Sequence, residues 1–155
     1  MSVDITVETE RLQVLSAFSF KRGRLLKLNN APALVIVSAH GLSQKLPSRK
    51  RFENARQMIN AGMEIKPIDL LAQWQAVGYR LEDLVEVPGT MSRRGGIVDV
   101  YPPDSDLPAR LEFFGDTVES IRLFDPDSQR SLRGVNSLVI TPASEKLGEI
   151  EEADN

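Results

Sequence analysis

The sequence predicts an α/β (α+β) chain in two parts: a partial α/β segment, then a small domain of one main helix and a mostly antiparallel sheet. Two observations carry this reading. Residues 33–38, Ala-Leu-Val-Ile-Val-Ser, form one short apolar run rich in β-branched residues, the mark of a strand buried on both faces. After residue 66, one amphipathic helical stretch is followed by short apolar-polar runs separated by turn residues.

Residues 4–19 read as a helix, with Leu12, Leu15 and Ser16 at helical spacing and Val14 and Phe18 beside them. Lys21-Arg22-Gly23-Arg24 ends it. The strand at 33–38 follows, and 39–46 starts a short helix that stops at Pro47. Residues 48–62 are basic, weakly patterned and expected to be a connector. One buried parallel strand needs neighbours on both sides and helices on both faces, so residues 1–62 are expected to be part of a larger α/β domain.

Lys66-Pro67 opens the second part, proline suiting the first turn of a helix. Ile68, Leu71, Ala72, Gln75 and Ala76 step along one face, Leu70, Trp74 and Val77 widen it, and Gly78 closes it. Strands are expected at Leu84–Val87, Gly96–Tyr101, Ala109–Phe114, Val118–Phe124 and Ser137–Thr141. Between them stand Pro88-Gly89, Pro102-Pro103-Asp104, Gly115-Asp116, Asp125-Pro126-Asp127 and Arg133-Gly134, of which Gly115-Asp116 is a hairpin signal. Domain boundaries are set at 1–62, 63–146 and 147–155, the last an acidic tail or linker.

Composition excludes several function classes. The 155 residues contain no cysteine, which removes disulfides and thiol chemistry and fits a cytoplasmic protein. No apolar run spans a membrane, and Met1-Ser2-Val3-Asp4 does not start a secretory signal. Residues 1–62 carry ten Lys/Arg against four Asp/Glu, and residues 63–155 nine against eighteen, a swing from +6 to −9. The swing suggests two units, with the acids that balance the first half on parts of a longer chain. Weak DNA binding through Lys21–Arg24 and Arg49–Arg51 is the alternative, although no aromatic stacking platform accompanies those runs.

No catalytic site is expected. There is no phosphate-binding Gly-Lys-Ser/Thr loop, and Arg94-Gly95-Gly96 precedes a strand, so it reads as a bend. His40 is the one histidine of the sequence, which contains no Gly-x-Ser-x-Gly nucleophile motif, so it reads as structural. Asp99, Asp104 and Asp106 do not follow a calcium-loop spacing, and the intervening prolines make a solvated turn. No metal or cofactor is expected.

A binding surface is legible in Arg110-Leu111-Glu112-Phe113-Phe114. Strand side chains alternate, so with Leu111 and Phe113 inward, Arg110, Glu112 and Phe114 share the outer face. An exposed aromatic beside an arginine is hot-spot chemistry, although Phe114 folded under the Gly115-Asp116 turn is an equal reading of the alternation. A two-residue turn would place Glu112 opposite Glu119, an unfavourable pair, which leaves the register open.

The run Pro88-Gly89-Thr90-Met91-Ser92-Arg93-Arg94-Gly95-Gly96-Ile97-Val98-Asp99-Val100-Tyr101-Pro102, then Arg110 to Asp116, Glu119 to Arg122, Phe124-Asp125 and Pro142 to Glu145, resembles the UvrB-type interaction domain over about residues 63–146. That domain is shared by the excision-repair helicase UvrB and the transcription-repair coupling factors. Ser38 to Pro47 resembles the Leu-Leu-Gln-x-Leu-Pro stretch of the coupling factors and lacks the Tyr-Gly-Leu-Gly of UvrB. The resemblance implies that residues 1–62 are part of an N-terminal, degenerate helicase-like domain. It implies UvrA as the partner, with Arg94, Arg110 and Phe114 as contacts, Arg93 as a neighbouring candidate and Glu112 holding an arginine or touching UvrA. It also implies an intact parent that is an ATP-driven DNA translocase and contacts RNA polymerase and its own other domains through regions outside these residues. Met91 stands where the family often has Phe, so packing beneath Arg94 is expected to differ.

Overall fold

The computed structural model describes residues 5–19, 36–43 and 45–147. The first helix, α1, runs Ile5–Ser19, and it buries Leu12 and Ser16 as its spacing predicts. The strand expected at 33–38 is not found where it is described. Residues 36–38 are irregular and exposed, Ile36 by 88%, and residues 33–35 lie outside the described residues, as do Lys21–Arg24 and the acidic tail from 148. A strand buried on both faces needs a hydrogen-bonded neighbour, and none of the described strands pairs with this stretch. The short helix α2 occupies Ala39–Ser43, ahead of Pro47.

The basic connector expected at 48–62 instead contains helix α3, Arg49–Asn54, and strand β1, Gln57–Asn60. Ser48 caps α3 by accepting a hydrogen bond from the Arg51 amide, and Phe52 is its buried anchor. The helix α4, Pro67–Ala76, forms where predicted, but its buried stripe is Pro67, Leu70, Leu71 and Trp74 while Ile68 is exposed. The stripe is therefore rotated from the one centred on Ile68. The Trp74 indole N–H donates to Gln57 Oε1 at 2.9 Å, which fixes α4 against β1.

Among the described residues, eight strands form two sheets. The larger has six strands in sequential order: β2 (Arg80–Leu81), β3 (Thr90–Arg94), β4 (Ile97–Val100), β5 (Ala109–Phe114), β6 (Thr117–Phe124) and β7 (Ser131–Val135). All its pairings are antiparallel except β2 with β3. The smaller sheet pairs β1 antiparallel with β8, Ser137–Ile140. The main core lies between α4, one face of the large sheet and the small sheet, with Ile59, Leu70, Trp74, Met91, Val98, Leu111, Ile121 and Ile140 at its centre. Ile59 precedes the boundary placed between 62 and 63, so the compact unit begins at β1.

Residues Leu84–Val87 are not a strand. They form an irregular loop that buries Val85 with Tyr101 and Phe124 in a second small cluster. The segment needs no ladder partner because that cluster anchors it. The turn expected to be solvated around Asp104 is engaged: Asp104 accepts hydrogen bonds from the hydroxyls of Ser16 at 2.5 Å and Thr141 at 2.6 Å. Further polar contacts join α1 to the domain. Arg11 Nε meets Glu145 at 2.6 Å, Gln13 donates to the Pro103 carbonyl at 2.9 Å, and Glu8 accepts from the Ser144 hydroxyl and the Glu145 amide. Part of the basic excess of the first half is thus met by acids of the second half.

Candidate partner-binding surface

Two hairpin tips meet at one end of the large sheet. The β3–β4 turn is Gly95-Gly96, with Gly95 at φ +61°, a value that favours glycine. The β5–β6 turn is Gly115-Asp116, the hairpin predicted from sequence. The Phe113 amide donates to the Gly96 carbonyl at 2.7 Å and ties the tips together. A Cβ on Gly96 would sit 3.0 Å from the Phe113 carbonyl oxygen, a tight contact that the close approach of the two tips makes less crowded with glycine.

The register settles the Glu112 question. Glu112 pairs with Ser120, the ladder shifts, and Phe113 pairs with Val118. Glu119 is the extra residue of a β-bulge in β6, and the bulge separates the two glutamates that a plain hairpin would oppose. The Ser120 hydroxyl donates to Glu112 at 2.5 Å, and Arg122 lies 3.8 Å from the same carboxylate.

Alternation along β5 is intact. Leu111 is fully buried, Phe113 packs at the core edge, and Phe114 is 81% exposed rather than folded under the turn. Arg94, Glu112 and Arg110 share its face through the cross-strand pairs Arg94–Ile97, Ile97–Glu112 and Asp99–Arg110. Arg94 keeps a half-exposed side chain, 53%. Arg93 is exposed but occupies the opposite face, its Nε donating to the Gly95 carbonyl at 3.3 Å.

Arg110 is placed differently from Phe114. Its side chain is only 16% exposed. Nε and one terminal nitrogen each donate to Asp99 at 2.8 Å, in a bidentate pair. The other terminal nitrogen reaches the Gln129 carbonyl at 3.4 Å, and the guanidinium lies 4.7 Å from the Phe124 ring centroid. The hydrogen bonds to Asp99 push the Arg110 pKa up, against the opposing effect of burial. Arg110 is therefore on the expected face but is already occupied.

Asp99 is the residue that sequence reasoning missed. The sequence offers it as a cation ligand or part of a solvated turn, yet it is 2% exposed and accepts from Arg110 and, at 3.2 Å, from Arg94. The signal was present: an aspartate inside Ile97-Val98-Asp99-Val100 must find a cation once it is buried. Among the described residues, no group of three or more His, Asp or Glu is placed to hold a metal. No described helix is long and apolar enough to cross a membrane. In the basic segment, Arg49 pairs with Glu53 at 2.8 Å and Arg51 donates to the Leu147 carbonyl.

The UvrB interaction domain, compared as a family, matches residues 58–145. The chain belongs to the UvrB interaction domain family. This domain resembles a segment of the transcription-repair-coupling factor of Bacillus subtilis, 37% identical over 81% of this chain and 11% of that protein. The factor of Myxococcus xanthus is 37% identical over 95% of this chain and 12% of its own length, and that of Escherichia coli 33% over 79% and 11%. The chain thus spans about a ninth of the length of these curated relatives and matches a fragment of them. The family match begins inside β1, in agreement with the position of Ile59 in the core.

Proposed function

We propose that this interaction domain is a non-catalytic docking module of a transcription-repair coupling factor, and that it recruits UvrA in nucleotide excision repair without a cofactor. The observation that carries the proposal is Phe114, a large aromatic side chain 81% exposed at the tip of a well-formed strand. A ring so placed gains most when a partner covers it, and half-exposed Arg94 beside the same tip supplies a charged, directional contact. Glu112 and Arg122 line the same face. Arg110, held by Asp99, supports the inner rim of this surface and keeps a small exposed edge for the partner. Arg93, on the opposite face, would contribute only if the partner wraps around the β3–β4 tip. ATP-driven translocation, the RNA polymerase contact and contacts with other domains belong, in this proposal, to regions of the parent outside these residues, in the cytoplasm.

Calorimetric titration with UvrA tests the reading. Wild-type protein is expected to bind one-to-one, with affinity reduced but not abolished by salt. Phe114→Ala is expected to weaken binding by about 2 kcal/mol or more, while its fold is retained. Absence of wild-type binding sinks the docking proposal. Equal binding by wild type and Phe114→Ala moves the contact to another surface.

A further inference from the structure

One buried carboxylate serves two arginines on this face. Asp99 sits on β4, directly across from Arg110 on β5 and diagonal to Arg94 on β3. Arg110 takes both carboxylate oxygens and is stacked on Phe124, so it is fixed from two sides. Arg94 reaches only Oδ2, at 3.2 Å, and more than half of its side chain remains in solvent. Two guanidiniums against one carboxylate leave one positive charge over, and the open donors that carry it belong to Arg94. An arginine is among the costliest side chains to order, so one already held before contact loses less freedom on binding.

We infer that Asp99 is a positioning residue of the docking surface: it holds the Arg94 guanidinium on the Phe114 face, one arm bonded and the others open, ready for a carboxylate of the partner. This rests on the docking reading above. Asp99 itself is buried and does not touch the partner. The partner patch that fits is an acidic side chain next to an apolar recess for the Phe114 ring, because the surplus charge and the exposed ring lie at the same sheet end.

A double-mutant cycle tests this, using the full chain and UvrA. Asp99→Asn keeps the shape and removes the charge. It is expected to weaken binding on the order of tenfold when Arg94 is present. In an Arg94→Ala background it is expected to cost clearly less, because only the small exposed edge of Arg110 is then left for Asp99 to position. An equal loss in both backgrounds would show that Asp99 acts through the fold or through Arg110 and not through Arg94, and overturns the inference. If wild type itself does not bind, the docking reading has failed and the cycle is not the reason. Should Asp99→Asn fail to fold, guanidinium rotation in wild type, read by nitrogen-15 nuclear magnetic resonance, decides. Arg94 rotating more slowly than exposed Arg133 supports the inference, and equal rates overturn it.

Discussion

Phe113 and Phe114 are chemically identical neighbours with opposite surroundings. Phe113 packs against the core edge while Phe114 stands in solvent. Phe113→Ala is accordingly expected to lower stability by about 2 kcal/mol, less than a fully buried phenylalanine would cost. Phe114→Ala is expected to leave the denaturation midpoint within about 0.5 kcal/mol of wild type. Urea denaturation of the pair separates a residue that holds the fold from one that does not. The outward position of Phe114 was legible because alternation on β5 is regular. The restraint on Arg110 was not, since its partner lies on another strand and no local pattern states which strands are neighbours. Tyr79 offers a second test at this scale. Burial, then the nearby Asp104 charge, push its phenol well above its ordinary range, while its hydroxyl donates to the Thr141 carbonyl at 2.7 Å. The unfolded chain releases this proton near pH 10 and the folded chain does not. The stabilising contribution is therefore complete below about pH 10 and is lost as pH rises through the folded value. Melting temperature is expected to fall above about pH 10, and less steeply in Tyr79→Phe.

At the level of elements, the segments with strong periodicity were readable and those with charge or glycine were not. α4, β4, β5, β6 and β8 show apolar spacing and, with the less patterned α1, were placed within a few residues of their observed limits. β3 begins with Thr90-Met91-Ser92 and ends in two arginines, and β7 is an edge strand with four exposed residues and Gly134 inside it. Neither has an apolar rhythm, because only one part of each touches the core. α3 was hidden by its arginines, although Ser48 three residues before Arg51 is a capping signal. The end of α4 depends on Gly78, at φ +102° and with the Ser144 Cβ and amide nitrogen 2.4 and 2.7 Å from where a Cβ would stand. Gly62 has a similar φ of +85° but open space around it. Gly62→Ala is expected to cost about 1 kcal/mol, the backbone strain alone. Gly78→Ala is expected to cost more than about 2 kcal/mol, since backbone as well as side chain must move. Guanidinium denaturation of the two variants, at unchanged slope, measures the difference.

For the molecule as a whole, turn spacing made the sheet of the second part legible, but not that its core reaches back to β1. β1 pairs with β8 some 80 residues later in the chain, a contact that no local signal announces. A fragment starting at residue 63 loses Ile59 and the entire β1–β8 ladder, and is expected to be less stable by about 3 kcal/mol or more than one starting at 57. Thermal melts of both fragments check this. α1 is attached mainly by polar contacts, so its removal is expected to cost less than removal of β1. The hydrogen bond from Phe113 to Gly96 limits how the proposed docking surface could be blocked. A linear peptide copied from Arg110–Thr117 would carry the aromatic ring but leave behind Arg94 and the neighbouring hairpin that shapes the tip, and a lone hairpin is barely stable in water. A competitor must therefore be a folded scaffold that displays two adjacent turns at once, and an antibody raised against the short peptide would not recognise the native tip.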